Sequence, residues 1–237
     1  LYKKAKADGL SREEFLHEAA KIEGLYVPAL YEVEYNEDGT ICCMKPKYDD
    51  IPVKIKKQVL VDLRNSTYPA APVVPYIKAT QDRLELEIQR GCIRGCRFCQ
   101  AGMIYRPNRE KKVDHLKDVA AALIKNTGHE EISLSSLSAS DYNELDELIT
   151  FLLDICKEKK INISLPSLRI DAFSLDIMQK VQDVKKSSLT FAPEAGTQRL
   201  RNVINKGLTV DDIMNGSKQA FEGGWNKVKF YFMLGLP

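Results

Sequence analysis

Between Arg83 and Leu234, short apolar runs alternate with stretches whose apolar residues recur at helical spacing, and this rhythm restricts the fold more than any other feature of the chain. Five runs read as strands: Leu84 to Ile88, Glu131 to Leu137, Ile161 to Leu165, Ser188 to Ala192 and Val228 to Leu234. Five stretches read as helices: Asp114 to Lys125, Asp141 to Lys159, Ser174 to Val184, Gln198 to Ile204 and Asp211 to Glu222. In the second, Leu145, Leu148, Ile149, Leu152, Leu153 and Ile155 supply the apolar positions. Strands joined through helices by short connections run parallel, so the expected class is α/β, a partial (β/α) barrel truncated after its fifth strand. The chain begins at Leu1 without methionine and stops at Pro237 directly behind an apolar run. It therefore reads as a piece of a longer protein, with a sixth strand and any substrate domain beyond Pro237.

The first 80 residues follow another pattern and read as a small α+β appendage with a linker, residues 1–80 against a barrel over 81–237. Ser11-Arg12-Glu13-Glu14 is a capping box opening a helix that Gly24 would close. Leu30 to Tyr35, the turn cluster Asn36 to Gly39 and Thr40 to Met44 read as a β-hairpin. Tyr68 to Pro75, with three prolines, reads as an extended connector.

No apolar run reaches the roughly 18 residues of a membrane span, and no secretory signal opens the chain. A net charge of +2 gives no argument for nucleic acid from the total alone. Six cysteines in 237 residues are too sparse for a disulfide scaffold. The expectation is a cytoplasmic protein with no membrane partner, in a compartment where clustered thiols bind metal or do chemistry.

Three of the six cysteines fall in Arg90-Gly-Cys-Ile-Arg-Gly-Cys-Arg-Phe-Cys-Gln100, directly behind the first strand. Ligands of parallel βα folds sit at the C-terminal ends of strands. Gly91 and Gly95 let the backbone turn tightly, so Cys92, Cys96 and Cys99 can converge on one object. Arg90, Arg94 and Arg97 surround them with positive charge, which favours thiolate. Three thiolates are one short of the usual four for a [4Fe–4S] cube, which leaves one iron open to another ligand. Two other readings stand beside this one: a zinc site completed by a fourth ligand elsewhere, and buried thiols with no function. Cys42, Cys43 and Cys156 are read as structural, because adjacent residues on a strand point to opposite faces and Cys156 lies in a helical apolar pattern.

The spacing C-x3-C-x-F-C resembles the signature of the radical S-adenosylmethionine enzymes, and the resemblance extends through the rest of the chain. It implies a partial barrel of that type, a [4Fe–4S] cluster held by Cys92, Cys96 and Cys99, and S-adenosylmethionine bound at the open iron. It places Phe98 near the adenine. The loop holding the cofactor's amino group, often Gly-Gly-Glu in that family, reads Ser135-Ser136-Leu137-Ser138 here and has no carboxylate. Ser136 and Ser138 are the candidates; a strand end capping the helix at Asp141 is the other reading. Arg169, in Pro166 to Asp171, pairs either with the cofactor carboxylate or with Asp171. Glu194, in Pro193-Glu-Ala-Gly-Thr-Gln-Arg199, matches the family residue that binds the ribose hydroxyls; a helix-dipole charge is its other reading. Arg199 is a second candidate for the carboxylate. Tyr231 to Pro237 resembles the fifth-strand motif bordering the adenine, with Leu234 in it.

Gln100 to Pro107 and Leu165 to Arg169 look like an uncharacterised subgroup in which a cobalamin-binding-like domain usually precedes the barrel. The Asp-x-His-x-x-Gly signature of cobalamin binding is missing, so cobalamin is not claimed. The activity implied is that of an iron–sulfur oxidoreductase or transferase that makes a 5′-deoxyadenosyl radical to modify an unknown substrate. RNA and ribosomal protein are substrate classes, and flavodoxin or ferredoxin is the type of reductant. Arg106, Arg109, Lys111 and Lys112 form the stretch that would meet phosphates. The alternative function is a non-catalytic zinc- or cluster-bearing module that binds nucleic acid or protein.

Overall fold

The structure is a computed structural model of residues 1–237; all are described except 173–174 and 183–188. The chain forms two compact units, Leu1–Leu60 and Val61–Pro237.

In the smaller unit, helix α1 spans Tyr2–Ala7 and α2 spans Arg12–Ala20. The capping box is formed: the Ser11 hydroxyl accepts from the Glu14 amide at 3.3 Å, and the Glu14 carboxylate accepts from the Ser11 amide at 2.8 Å. Strands β1 (Tyr31–Tyr35) and β2 (Ile41–Pro46) make the hairpin. Ala19, Ala20, Val27, Leu30, Tyr31 and Ile51 form its small core. Glu34 pairs with Cys43 and Tyr35 with Ile41, so Cys42 is an extra residue on its strand, a β-bulge.

In the larger unit, β3 (Leu84–Glu87), β4 (Gln89–Arg90), α3 (Gln100–Ile104), β5 (Arg109–Glu110), α4 (Val113–Thr127), β6 (Glu131–Ser135), α5 (Leu145–Lys159) and β7 (Asn162–Ser164) follow in order. Then come α6 (Leu175–Gln182), β8 (Leu189–Glu194), α7 (Gln198–Val203), α8 (Val210–Glu222) and β9 (Val228–Phe232). Strands β3, β6 and β7 form one parallel sheet, and β8 and β9 a second. The expected α/β class with parallel strands is present. Leu84, Leu86, Ile132, Leu134 and Ile163 lie side by side on one face of this sheet and are almost wholly buried, whereas Glu85 and Glu87 of the alternate positions are exposed and partly buried. The five apolar residues pack with Leu116, Ala120, Leu148 and Leu152 of α4 and α5. A second cluster, Ile170, Leu189, Phe191, Leu208, Ala220 and Trp225, supports β8.

Several expected boundaries shift for physical reasons. The stretch 61–80 belongs with the larger unit, not with an appendage ending at residue 80. Leu63 is buried, Tyr68 packs against the main core, and Asn126 donates to the Ala70 carbonyl at 2.9 Å. The expected strand to Leu137 ends at Ser135, because its partner β3 ends at Glu87. The expected helix at Asp141 begins instead at Leu145, after a 3₁₀ turn over Ala139–Asp141. Ser174, Val184 and Ser188, ends of an expected helix and strand, lie outside the described residues. Short pieces such as α3 and the antiparallel pair β4–β5 have no periodicity long enough to be read from sequence.

Candidate iron–sulfur and cofactor site

The loop carrying the three cysteines leaves β4 through Gly91, whose φ is 91°. A Cβ there would stand 2.7 Å from the Tyr105 carbonyl and 2.8 Å from that of Pro107, so only glycine fits both the angle and the space. The turn between α7 and α8 is hydrogen-bonded to the same loop. The Arg97 amide donates to the Ile204 carbonyl at 2.9 Å, and Asn205 Nδ2 donates to the Gly95 carbonyl at 2.7 Å. Residues more than one hundred positions apart are thus held together.

Cys92, Cys96 and Cys99 are free and partly buried. Two backbone amides donate to their sulfurs, Arg94 to Cys92 at 3.4 Å and Gly102 to Cys99 at 3.2 Å. Burial pushes the Cys96 thiol up; Lys206 and Arg169 oppose this, and the neighbouring Cys99 and Cys92 add to it. The arginines expected to favour thiolate are largely committed elsewhere. Arg90 grips Glu87 in two bonds of 2.7 and 3.0 Å. Arg94 grips Asp141 at 3.0 and 2.6 Å, and Arg97 donates to the Val203 carbonyl. The cations that counter burial at Cys96 are Lys206 and Arg169, which sequence reasoning gave no such role.

Lys206 joins three candidate residues. Its ammonium lies 3.3 Å from the Glu194 carboxylate and 5.9 Å from the centre of the Phe98 ring, and it acts on Cys96. Nothing in the sequence marks it, because it reaches the site only through the α7–α8 turn. Glu194 has φ of 66°, a left-handed conformation rare outside glycine, and its carbonyl accepts from the Met233 amide at 2.8 Å. The end of β8 is therefore held in an unfavourable backbone state by its neighbours.

Beneath the loop runs a chain of charge. Asp141 accepts from Arg94 and, at 2.8 Å, from the Ser138 hydroxyl. Burial pushes its carboxyl up, but these two hydrogen bonds outweigh that and hold it below its usual value. Arg94 also stands 3.9 Å from Asp171, which Arg169 holds in two bonds of 2.9 Å. The fork of Arg169 is thus taken by Asp171. Ser138 is buried, with its carbonyl accepting from Gln89 at 2.6 Å. The Ser136 hydroxyl is buried without a hydrogen-bond partner among the described residues. Arg199 and Leu234 are exposed, Leu234 at 95%, and no hydrogen bond or ion pair ties either to the cysteine loop among the described residues.

Of the basic stretch, Arg106 and Lys112 are exposed, Arg109 is partly buried and Lys111 is buried. Lys111 is 1% exposed and pairs with Glu87 at 2.9 Å. Arg106 donates to the Arg94 carbonyl at 3.3 Å, and Arg109 to the Pro107 and Tyr105 carbonyls.

Among the described residues, the group of three metal-ligand atoms found within 4.8 Å of one another is Glu34, Cys42 and Cys43, not the loop trio. The three loop sulfurs do not all lie within 4.8 Å of one another.

The model of the radical SAM superfamily matches residues 86–237, from the first parallel strand to the end of the chain. The chain belongs to the radical SAM superfamily. The chain is 42% identical over 152 residues to the uncharacterized protein MJ0966 of Methanocaldococcus jannaschii, a match covering 64% of this chain and 33% of that protein. Of solved structures it is similar to the radical S-adenosylmethionine methyltransferase TsrM from Kitasatospora setae, with TM-score 0.54, 12% identity, and coverage of 99% of this chain and 43% of that one. It is also similar to methylornithine synthase, with TM-score 0.45, 14% identity, and coverage of 65% and 45%. The chain spans about a third of the length of the curated relatives it matches. Membership in this superfamily implies S-adenosylmethionine and a [4Fe–4S] cluster in general. No helix among the described residues is long and apolar enough to cross a membrane.

Proposed function

We propose that this chain is the cluster-bearing part of an oxidoreductase or transferase that reductively cleaves S-adenosylmethionine and turns the resulting radical on its own substrate. The spacing of the three loop thiols carries the reading. A single zinc would need its sulfurs about 2.3 Å from one centre, whereas donors spread wider suit the corners of a polynuclear cluster. When bound, a [4Fe–4S] cluster supplies the electron that splits S-adenosylmethionine into methionine and a 5′-deoxyadenosyl radical.

The chain's own residues bind and orient. Cys92, Cys96 and Cys99 would hold the cluster, and the amides of Arg94 and Gly102 donate to two of their sulfurs. Lys206 and Arg169 offset negative charge at Cys96. Phe98, partly exposed beside Lys206, offers a ring face to the adenine, with Leu234 as the proposed border. Glu194 offers two acceptors to the ribose hydroxyls. The unpartnered hydroxyl of Ser136 supports a role for the Ser136–Ser138 segment toward the amino group. With Arg169 engaged by Asp171, Arg199 is the proposed partner of the carboxylate.

The substrate class stays open. RNA loses support from the basic stretch, since Lys111 is buried and paired. A flavodoxin- or ferredoxin-type reductant and a cytoplasmic setting complete the proposal; cobalamin is not part of it.

The test is anaerobic reconstitution, reduction with dithionite and assay of 5′-deoxyadenosine, with the reduced cluster's spectrum followed as S-adenosylmethionine is added. Product and a spectral change, both lost in Cys96→Ala, are expected. A colourless chain holding one zinc would replace this reading with a non-catalytic metal-bearing module.

A further inference from the structure

The hairpin of the smaller unit brings together two thiols and a carboxylate that the radical chemistry does not use. Alternation along a regular strand would send Cys42 and Cys43 to opposite faces. The bulge removes that alternation. Cys42 is the extra residue between Ile41, opposite Tyr35, and Cys43, opposite Glu34. Bulges re-aim side chains, and here both thiols come to the same carboxylate. The ligand atoms of Glu34, Cys42 and Cys43 lie within 4.8 Å of one another.

The group is ordered from both sides. The Cys43 thiol donates to Glu34 Oε2 at 3.0 Å, and Lys45 Nζ lies 2.8 Å from Oε1. Lys45 fixes one carboxylate oxygen and leaves the other toward the sulfurs. A proton therefore stands where an ion would, between sulfur and oxygen.

We propose that Glu34, Cys42 and Cys43 form a binding site for a borderline-soft divalent cation of the zinc type, separate from the three-cysteine loop. The donor chemistry selects the ion. Two thiolates disfavour magnesium and calcium, which take oxygen ligands, and one carboxylate among two sulfurs suits zinc. Three protein donors leave the fourth tetrahedral position to water, and the site's exposure gives water access. Binding releases the two thiol protons to solvent; no electron moves.

The probe is Co²⁺, whose spectrum counts thiolate ligands, added to the full chain under a non-chelating phosphine reductant. In a chain with Cys92, Cys96 and Cys99 all changed to Ala, one Co²⁺ per chain with thiolate charge-transfer absorption is expected. Adding Cys42→Ser or Cys43→Ser should weaken binding at least tenfold, because changing even outer-shell partners of a metal costs about 10- to 100-fold. Glu34→Gln should weaken it about tenfold while the thiolate absorption persists. Should the triple variant fail to fold, the unaltered chain serves: Cys42→Ser should remove one equivalent of Co²⁺ there. No binding by these residues, equal affinity in Cys42→Ser, or one ion shared between two chains would each overturn the site.

Discussion

The chain carries two groups of thiols, and they invert what their spacing in sequence suggests. Cys42 and Cys43 are adjacent on a strand, where alternation should separate them, yet a bulge brings them with Glu34 within one small sphere. Cys92, Cys96 and Cys99 are spread over eight residues with one glycine between, and their sulfurs do not all lie within such a sphere. Backbone geometry, not sequence distance, sets the span between donors. A wide span suits a cluster and a narrow one suits a single ion.

The most damaging change should be Gly91→Ala. It adds a methyl within 3 Å of two backbone carbonyls and the Asn108 Cα, at a φ of 91°. About 4 kcal/mol of stability should be lost, read as a fall in the urea midpoint. The matching change in the hairpin turn, Gly39→Ala, meets open space at φ 79° and should cost only about 1 kcal/mol. Equal costs would mean that the cysteine loop is no more constrained than the hairpin.

Next in size is Asp141→Asn. Asp141 is largely buried beneath the loop and holds Arg94 through two bonds. Because Arg94 is about a third exposed, the loss should sit at the lower end for a broken buried pair, about 3 kcal/mol in chemical unfolding. In the hairpin, Lys45→Ala removes an exposed pair with Glu34 and should leave the midpoint unchanged.

A smaller and reversible test uses pH. Asp141 and Glu87 are both held below their ordinary values of 3.8 and 4.5: burial opposes this, and hydrogen bonds from Arg94 and Ser138, or Arg90 and Lys111, prevail. A lowered carboxyl contributes stability that is fully present above its unfolded value and is lost as pH falls through its folded one. The larger unit should therefore lose stability progressively below about pH 4.5 in thermal unfolding. The loss should be shallower in Asp141→Asn.

Much of this was legible beforehand, for identifiable reasons. The βα order was readable because each strand and helix carries its own periodicity, as in Leu145 to Ile155. The cysteine loop was readable because its cysteines and glycines are local. Lys206 was not, since contacts distant in sequence, among them the hydrogen bonds from Arg97 to Ile204 and from Asn205 to Gly95, bring its turn to the thiols. The pairing of Arg169 with Asp171 stood open in the sequence, and geometry alone decides it. The Cys42 bulge was misread because strand alternation was assumed where the register slips.

The central claim is tested most directly by counting iron in chains reconstituted without oxygen. The unaltered chain, Cys42→Ser and Cys156→Ala should each hold about four irons with a brown absorption, and Cys92→Ala, Cys96→Ala and Cys99→Ala should each hold far less. The same iron content in all six chains, or one zinc and no iron in the unaltered chain, would contradict it.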